Sequence, residues 1–223
     1  MALAEEREAV RYNPSVFEVR SIEEARRIAL TDEGMPTDER WERETPYLGE
    51  EIVSFLQPTE SSLLLDYGCG IGRMAKELIE RCGCSVLGVD ISQSMRQLAP
   101  GYVLSGKFAA CAGASCDAMV RAGVRLDGAI AIWSLQHSPK VEEDIARLDR
   151  ALKPGAGLFV CNVLHAAIPT NYGWVDTGFD IKALLADAFD QVGVSSMSRE
   201  HTSAQIAQAA FLGKYRKRQN ACE

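Results

Sequence analysis

Apolar and polar positions alternate in a regular pattern along most of the chain after Pro58. Short apolar runs predict strands at residues 62–67, 85–90, 106–111, 127–133 and 157–163. Segments with apolar residues at helical spacing predict helices at residues 71–82, 92–99, 117–123 and 139–152. Because strands and helices follow one another in turn, we expect a parallel sheet whose ligand sites lie at the carboxyl ends of its strands.

The first 47 residues depart from this pattern. They open with the acidic, helix-prone segment Glu5-Glu6-Arg7-Glu8 and carry charge without the later alternation of strands and helices. Ser21 and Thr37 each precede acidic residues, as is typical of a helix start, so helices are expected at 22–30 and from residue 37 onward. We interpret residues 1–47 as a helical extension and residues 48–223 as a single α/β domain.

The pattern changes again after Pro169. A loop is expected through Tyr172 and Trp174, and a helix is expected at 179–188. The chain is then predicted to end with two late strands, at 191–198 and 209–216.

A glycine-rich turn follows the first predicted strand. The strand ends at Asp66, and Gly68, Gly70 and Gly72 alternate with other residues in the turn. Glycines let the backbone approach a ligand closely, and the helix that follows places the turn at a helix N-terminus. The second strand ends in Asp90, about 20 residues beyond the glycines, the spacing at which an acid reaches ribose hydroxyls. These features predict a pocket for a nucleotide-like cofactor.

Dinucleotide-binding proteins use a similar turn, but two details oppose that interpretation. The glycines follow a GxGxG pattern, and Arg73 occupies the position where the dinucleotide fingerprint has its third glycine. The carboxylate of Asp66 would repel a pyrophosphate, whereas it would attract a cation. The amino group of a methionine moiety fits this position.

Several segments resemble the motifs of the class I S-adenosylmethionine-dependent methyltransferases. The resemblance rests on five motifs in the family's order, at residues 65–73, 89–95, 116–118, 126–130 and 152–158. It covers about residues 48–217. It implies a Rossmann-like doubly wound sheet, mostly parallel, with a C-terminal antiparallel hairpin and helices on both faces. It also implies S-adenosyl-L-methionine as cofactor and S-adenosyl-L-homocysteine as product.

The resemblance assigns roles to residues around the cofactor. Asp66 would hold the amino-acid end, Gly68 and Gly70 would allow backbone approach, and Asp90 would bind the ribose hydroxyls. Asp117 would bind the adenine amine. The other cofactor-binding candidates are Cys69, Arg73, Ile91, Met95, Ala118 and Trp133, with Ile91 and Ala118 packing on the adenine. Cys69 is expected to pack and not to act as a nucleophile. Trp133 is expected either beside the adenine or methyl site or in the core.

The predicted helix from residue 37 onward is a candidate lid. Many family members cover the cofactor with an N-terminal helix, which implies that residues 40–47 lie over the site. Trp41 would then contact the cofactor, and Arg43 would lie near the methionine carboxylate. Alternatively, Trp41 and Tyr47 dock the helix onto the domain while its charges stay solvated.

The catalytic candidates follow the fourth strand. His137 is a candidate base or acceptor-positioning residue with Gln136, although both could simply cap or line the next helix. His165 follows the fifth strand as a candidate substrate contact, whereas His201 is expected at the surface. The aromatic residues Tyr172 and Trp174 suggest an apolar or ring-bearing acceptor.

Composition narrows the classes of partner. The 223-residue chain carries a net charge of −7, which argues against a general nucleic-acid or anionic-membrane surface. The basic run at 214–218 is read as a solvated strand end. No apolar run approaches the roughly 18 residues of a membrane span, and the seven scattered cysteines form no metal-binding pattern. We expect a cytoplasmic protein with reduced thiols and no metal.

These observations predict methyl transfer to an oxygen or nitrogen of a small-molecule acceptor. The acceptor would bind between the N-terminal extension and the loops after strands four and five. Two alternatives stay open: methylation of a protein or RNA, and a cofactor-binding module that has lost catalysis and serves within a complex.

Overall fold

The structure, a computed structural model, describes residues 9–219, so the acidic segment at 5–8 and Cys222 lie outside the described residues. Its strands are β1 (Leu63–Tyr67), β2 (Ser85–Val89), β3 (Phe108–Cys111), β4 (Leu126–Ile132), β5 (Leu152–Val163), β6 (Ala167–Thr170), β7 (Gly173–Asp176), β8 (Asp190–Ser195) and β9 (Ala210–Arg216). The main sheet has the order β3-β2-β1-β4-β5-β9-β8. Strands β1 to β5 are parallel, whereas β9 runs antiparallel to both β5 and β8. The predicted Rossmann-like fold with an antiparallel C-terminal strand pair is confirmed.

Helices cover both faces of this sheet. They are α1 (Ile22–Ala29), α2 (Thr37–Leu56), α3 (Arg73–Cys82), α4 (Gln93–Val103), α5 (Gly113–Arg121), α6 (Val141–Ala151), α7 (Ile181–Ala188) and α8 (Ala204–Ala209). One apolar core joins the sheet to α5, α6 and α7. A second core joins the opposite face to α2, α3, α4 and α8. Among residues 9–219, no helix has the length and apolar character needed to cross a membrane.

Two helix boundaries differ by four residues from the sequence-based prediction. Helix α4 continues through Pro100 to Val103, although the proline suggested an end at residue 99. Helix α5 begins at Gly113, four residues before the predicted start at 117. Its N-cap residue, Ala112, makes no side-chain capping hydrogen bond, so the sequence contains no start signal there.

A second, two-stranded sheet forms where a loop was predicted. Strands β6 and β7 pair antiparallel, with Pro169 opposite Trp174. The segment that we call the N-terminal arm (residues 9–20) is attached to this hairpin, because the backbone N–H of Asn13 donates to the carbonyl of Pro169 at 2.9 Å. At its other end, the Glu18 carboxylate accepts the N–H groups of Gln93 and Ser94, both at 3.0 Å. The arm is thus fixed to two separate parts of the domain.

Helix α2 is continuous across the proposed division between residues 47 and 48. Leu48 and Ile52 are fully buried in the core beneath the sheet, and Pro46 is accommodated within the helix. Arg40, Glu44, Leu48 and Ile52 are spaced four residues apart and are all buried, so a single face of α2 carries both an ion pair and apolar side chains. The extension and the domain therefore share this helix.

The buried face of α2 gives a test of its packing. We expect Leu48→Ala to destabilise the protein by about 2–5 kcal/mol, because it removes a fully buried side chain and leaves a cavity. The exposed neighbour change Glu50→Ala is the matched control and should alter stability by about 0.5 kcal/mol or less. Urea denaturation monitored by circular dichroism measures both values. Equal effects of the two substitutions would show that α2 is not packed on the sheet.

Candidate cofactor and acceptor site

A single large cavity lies at the carboxyl ends of β1, β2, β4 and β5. Its volume is about 880 Å³, which is near the upper end of the range of about 300–1,000 Å³ for small-molecule sites. The glycine-rich turn forms one wall, and the N-terminal arm, helix α2 and the hairpin β6–β7 close the others. The cavity therefore lies where ligands bind in open α/β sheets.

The glycines of the turn have different structural roles. Gly68 has a φ of 75°, and a Cβ atom there would lie 2.2 Å from the Cβ of Ser134. Gly70 also has a positive φ, of 54°, but a Cβ there would approach only the Sδ of Met95, at 4.0 Å. Gly68 thus permits close packing of the turn against the end of β4. Gly70 leaves backbone accessible from the cavity.

Asp90 ties the turn to the end of β2. Its Oδ2 accepts the N–H of Gly70 at 2.7 Å, and its Oδ1 accepts the N–H of Ser92 at 2.8 Å. Burial raises the pKa of Asp90 despite these hydrogen bonds. Each carboxylate oxygen can accept a further hydrogen bond from a ligand hydroxyl. Next to it, Ile91 is 59% exposed and presents an apolar side chain to the cavity.

Asp66 is the least satisfied polar group in the cavity wall. Its side chain is 2% exposed, and its Oδ2 has no hydrogen-bond partner among the described residues. Burial raises the pKa of Asp66 to about 7, even though the charge of Arg73 acts in the opposite direction. An unpaired buried acceptor is costly unless a ligand supplies a donor. A ligand ammonium would supply both the donor and the compensating charge, so this residue fits the amino-acid end of the predicted cofactor.

Helix α2 contributes Arg40 and Trp41 to the cavity wall. The Arg40 Nε donates to Glu44 at 2.7 Å, and both side chains are buried. The guanidinium groups of Arg26 and Arg73 both lie over the Trp41 ring, at 4.9 and 5.4 Å from the ring centroid. These cation–π contacts hold Trp41 beside the turn.

Trp133 lies at the end of β4 in an unusual conformation. Its φ is 56°, a left-handed value that bulky residues rarely adopt. Its ring lies 5.8 Å from the Arg40 guanidinium, and its buried Nε1–H has no hydrogen-bond partner among the described residues. Backbone strain of this kind concentrates at functional sites. Trp133, Met95 and Cys69 all line the cavity, and burial raises the pKa of the Cys69 thiol well above its usual value, which keeps it protonated.

The structure does not bring three predicted residues to the cavity. Arg43 lies on the outer side of α2 and pairs with Glu39 at 2.7 Å, so Arg40, one turn earlier, takes the inward position. Asp117 and Ala118 lie within α5 and not at its start, and neither lines the cavity. The Asp117 carboxylate instead binds Arg147 at 2.9 Å. Because α5 begins early, its first residue, Gly113, lies at the cavity wall, and Asp117 and Ala118 lie about one turn further along the helix.

Hydrogen bonds fix Gln136 and His137 relative to each other. Gln136 Oε1 accepts the Val163 N–H at 3.1 Å, which directs its amide Nε2 towards His137 Nε2 at 3.2 Å. His137 Nδ1 donates to the carbonyl of Ala167 at 3.0 Å. Burial lowers the pKa of His137, so the neutral ring with a proton on Nδ1 is favoured. In this tautomer, Nε2 is a hydrogen-bond acceptor.

Aromatic side chains surround His137. The rings of Phe17 and Trp174 lie 5.9 and 4.9 Å from it, and Trp174 is 56% exposed. Trp174 lines the cavity as predicted for an acceptor-binding aromatic residue, whereas Tyr172 does not. His165 also lines the cavity. His201 stacks on Tyr47 with ring centroids 4.5 Å apart, away from the cavity wall.

Several cavity residues carry no clear sequence signal. Tyr12, Phe17 and Glu33 line the cavity because the N-terminal arm and the loop before α2 fold across it. Asp144 joins the wall from α6, where it accepts hydrogen bonds from Tyr67 and Arg147 at 2.5 and 2.7 Å. Arg40 belongs to the segment 40–47 that was expected over the site, but the sequence did not distinguish it from Arg43 as the residue that faces the cavity.

Comparison with known proteins assigns the chain to a family. A family model described as "Methyltransferase domain" matches residues 38–210, more than half of the chain. Squalene methyltransferase 1 from Botryococcus braunii is 32% identical over 130 residues, which cover 56% of this chain and 31% of that protein. O-methyltransferase resE from Aspergillus sclerotiorum is 28% identical over 133 residues, covering 57% and 49%. The chain thus matches less than half of the length of each of these relatives.

Solved structures share the fold. Geranyl diphosphate methyltransferase in complex with SAM superposes with a TM-score of 0.61. The alignment covers 85% of this chain and 94% of that protein at 16% sequence identity. At this identity the similarity establishes the arrangement of helices and strands and not the substrate.

The raised pKa of Asp66 predicts pH-dependent cofactor binding. Because the ionised carboxylate attracts an ammonium, affinity for S-adenosylhomocysteine should rise by up to about tenfold per pH unit below pH 7 and level off above it. Asp66→Asn should weaken binding at pH 8 and remove most of this slope. Titration calorimetry from pH 5.5 to 8 measures both effects, with Asp187→Asn on the exposed side of α7 as control. A slope that survives in Asp66→Asn would assign the titration to another group.

Two of the three aspartates that were predicted to contact the cofactor, Asp90 and Asp117, should behave differently. Asp90→Ala should weaken S-adenosylhomocysteine binding by about 1–3 kcal/mol, because it removes charge-assisted hydrogen bonds at the cavity wall. Asp117→Ala should change affinity less than about twofold, since its carboxylate pairs with Arg147 and does not itself line the cavity. Calorimetry on both variants, with melting temperatures as a check on folding, tests this difference. Equal losses of affinity in the two variants would indicate that Asp117 also contacts the ligand.

Proposed function

The chain belongs to the methyltransferase family, and on this basis we propose that it transfers a methyl group from S-adenosylmethionine to an oxygen or nitrogen of a small-molecule acceptor. One observation carries the proposal. A single cavity of about 880 Å³ joins the glycine turn and two buried carboxylates to a second region lined by His137 and aromatic side chains. We call these regions the cofactor half and the acceptor half.

The side chains of the cofactor half suit the family's cofactor. The Asp66 carboxylate lacks a hydrogen-bond donor, which a ligand ammonium would provide. The carboxylate oxygens of Asp90 can accept hydrogen bonds from ribose hydroxyls. Arg40, and not Arg43, is the cation of α2 that lines the cavity, and its guanidinium is already bound to Glu44 and to the Thr31 carbonyl. The N-terminal arm and the first half of α2 line the cavity, which supports the prediction that residues 40–47 cover the cofactor. When bound, S-adenosylmethionine supplies an electrophilic methyl group on a positively charged sulfur.

In the acceptor half, the protein's main task is to orient the nucleophile. Orientation of the reacting atoms supplies much of the rate acceleration in a methyl-transfer displacement, so a rigid cavity wall matters more than a strong base. The hydrogen bonds from the Val163 N–H to Gln136 and from His137 Nδ1 to the Ala167 carbonyl provide that rigidity. His137 Nε2 is an acceptor, so it can take a hydrogen bond from an acceptor hydroxyl or amine once the Gln136 amide moves aside.

The acceptor half favours molecules with an apolar or aromatic body. Phe17 and Trp174 form its walls with ring centroids 6.3 Å apart, and the exposed Trp174 has apolar surface that a ligand would cover. The basic run near the C-terminus offers little free charge for RNA. Lys214 pairs with Glu51, Lys217 with Asp149 and Arg218 with Asp190.

Transfer of a labelled methyl group tests the proposal. The protein and labelled S-adenosylmethionine would be incubated with phenols, arylamines, isoprenoid hydrocarbons, total RNA and a protein extract in separate reactions. Label in a phenol or arylamine supports the proposal. Label only in a hydrocarbon would change the methylated atom to carbon, and label only in RNA or protein would overturn the small-molecule assignment. Cofactor binding with no labelled product would favour a non-catalytic module.

His137 should affect turnover more than cofactor binding. We expect His137→Gln to lower kcat by about 10- to 100-fold, because the acceptor loses an oriented hydrogen-bond partner. The affinity for S-adenosylhomocysteine should stay within about twofold, since the ring lies in the acceptor half. His201→Gln, on the stack with Tyr47, is the control and should retain wild-type kcat. A wild-type kcat in His137→Gln would reduce His137 to a wall residue.

A further inference from the structure

Four carboxylate side chains line the cavity, and three of them either belong to the cofactor half or form an ion pair. Asp66 and Asp90 belong to the cofactor half. Asp144 is neutralised by Arg147 and accepts hydrogen bonds from the Tyr67 and Ser138 hydroxyls. Glu33, on the loop between α1 and α2, is the fourth, and no ion pair is formed by it among residues 9–219. Its charge is therefore available to a ligand.

The position of Glu33 is fixed by local hydrogen bonds. The Thr31 hydroxyl donates to its Oε1 at 2.7 Å, and the Ser203 hydroxyl donates to its backbone carbonyl at 2.6 Å. Its side chain is half-buried, and these contacts leave Oε2 without a hydrogen bond in the described part of the chain. A carboxylate held in place with one free oxygen is suited to accept a hydrogen bond from an incoming donor.

Electrostatic effects in the acceptor half are dominated by carboxylates. The charge of Glu33 opposes the burial that lowers the pKa of His137. Burial raises the pKa of Tyr12, and the charges of Asp144 and Asp90 raise it further. Three of the four arginines at the cavity wall are paired with carboxylates: Arg27 with Glu23, Arg40 with Glu44, and Arg147 with Asp117 and Asp144. The fourth, Arg73, donates to the Thr45 hydroxyl, and its charge acts on Asp66 in the cofactor half. Positive or donor groups are therefore favoured in an acceptor.

We propose that Glu33 is a specificity-determining residue that selects acceptors carrying an ammonium group, or another hydrogen-bond donor, on an aromatic or apolar body. The aromatic body would contact Phe17 and Trp174, and the donor would bind the free Oε2 of Glu33. This inference rests on the proposed small-molecule function and adds the charge of the acceptor to it. Glu33 binds the acceptor in this proposal and takes no part in bond breaking.

Three phenols of similar size and different charge test the proposal: tyramine, p-cresol and 3-(4-hydroxyphenyl)propionate. Each would be titrated by calorimetry into protein saturated with S-adenosylhomocysteine. We expect tyramine to bind tightest and the propionate weakest. Glu33→Gln should weaken tyramine binding by about tenfold, the effect of losing one charge-assisted hydrogen bond, and leave p-cresol within about twofold.

Two controls separate this effect from a loss of structure. Glu39→Gln removes an exposed carboxylate that pairs with Arg43 on the outer side of α2, and it should keep the wild-type order of the three probes. Glu33→Gln should keep the wild-type melting temperature and affinity for S-adenosylhomocysteine. These values show whether the loop before α2 has kept its position.

The outcomes distinguish the inference from the proposed function. If S-adenosylhomocysteine binds but the propionate binds as tightly as tyramine, or if none of the three phenols binds, the role of Glu33 is overturned and the cofactor assignment stands. The same conclusion follows if Glu33→Gln preserves the preference for tyramine. If S-adenosylhomocysteine fails to bind wild-type protein, both the inference and the proposed function are overturned.

Discussion

The cavity of this protein is organised around a carboxylate that is buried without a hydrogen-bond partner. Asp66 lies one residue before the end of β1, where sheet and helices shield it from water, and its Oδ2 is unsatisfied within residues 9–219. Burial raises its pKa to about 7. A carboxyl group whose pKa rises on folding is ionised more easily in the unfolded chain, so its contribution to stability declines as the pH rises towards 7. The fold retains this unfavourable group at the point where a cationic ligand would relieve it.

The surrounding structure holds that position rigid. Gly68 allows the turn to pack against the end of β4, and Asp90 fixes the turn from the neighbouring strand through Gly70. The buried ion pair between Arg40 and Glu44 lies on the same face of α2 as the apolar residues that anchor the helix. Glu44 also accepts the Thr202 hydroxyl at 2.6 Å, which links α2 to the segment before α8. Removing either Arg40 or Glu44 would leave an uncompensated buried charge on α2. Because the same face of α2 packs in the core, the stability of the cavity wall and the stability of the core depend on each other.

The acceptor half is built from segments that lie far apart in the sequence. Phe17 comes from the N-terminal arm, His137 from the turn after β4, and Trp174 from the hairpin β6–β7. Each segment is positioned by backbone contacts with another, such as the hydrogen bond from Asn13 to Pro169. The curated relatives match this chain over only part of their length, and a solved structure matches its fold at 16% sequence identity, so similarity identifies the family and its cofactor more readily than the acceptor.

The sequence by itself determined the alternation of strands and helices, the glycine turn and the acids that end β1 and β2. These features depend on local rules, namely apolar periodicity, glycine conformation and the spacing of a βαβ unit. Only the tertiary structure placed Arg40 inside and Arg43 outside, moved Asp117 away from the cavity, and brought Phe17, Glu33 and Trp174 to His137. The reason is physical. Packing and hydrogen bonds between residues far apart in the chain decide which side of a long helix is buried, where an uncapped helix starts and which path a loop takes. Local sequence patterns do not encode these contacts.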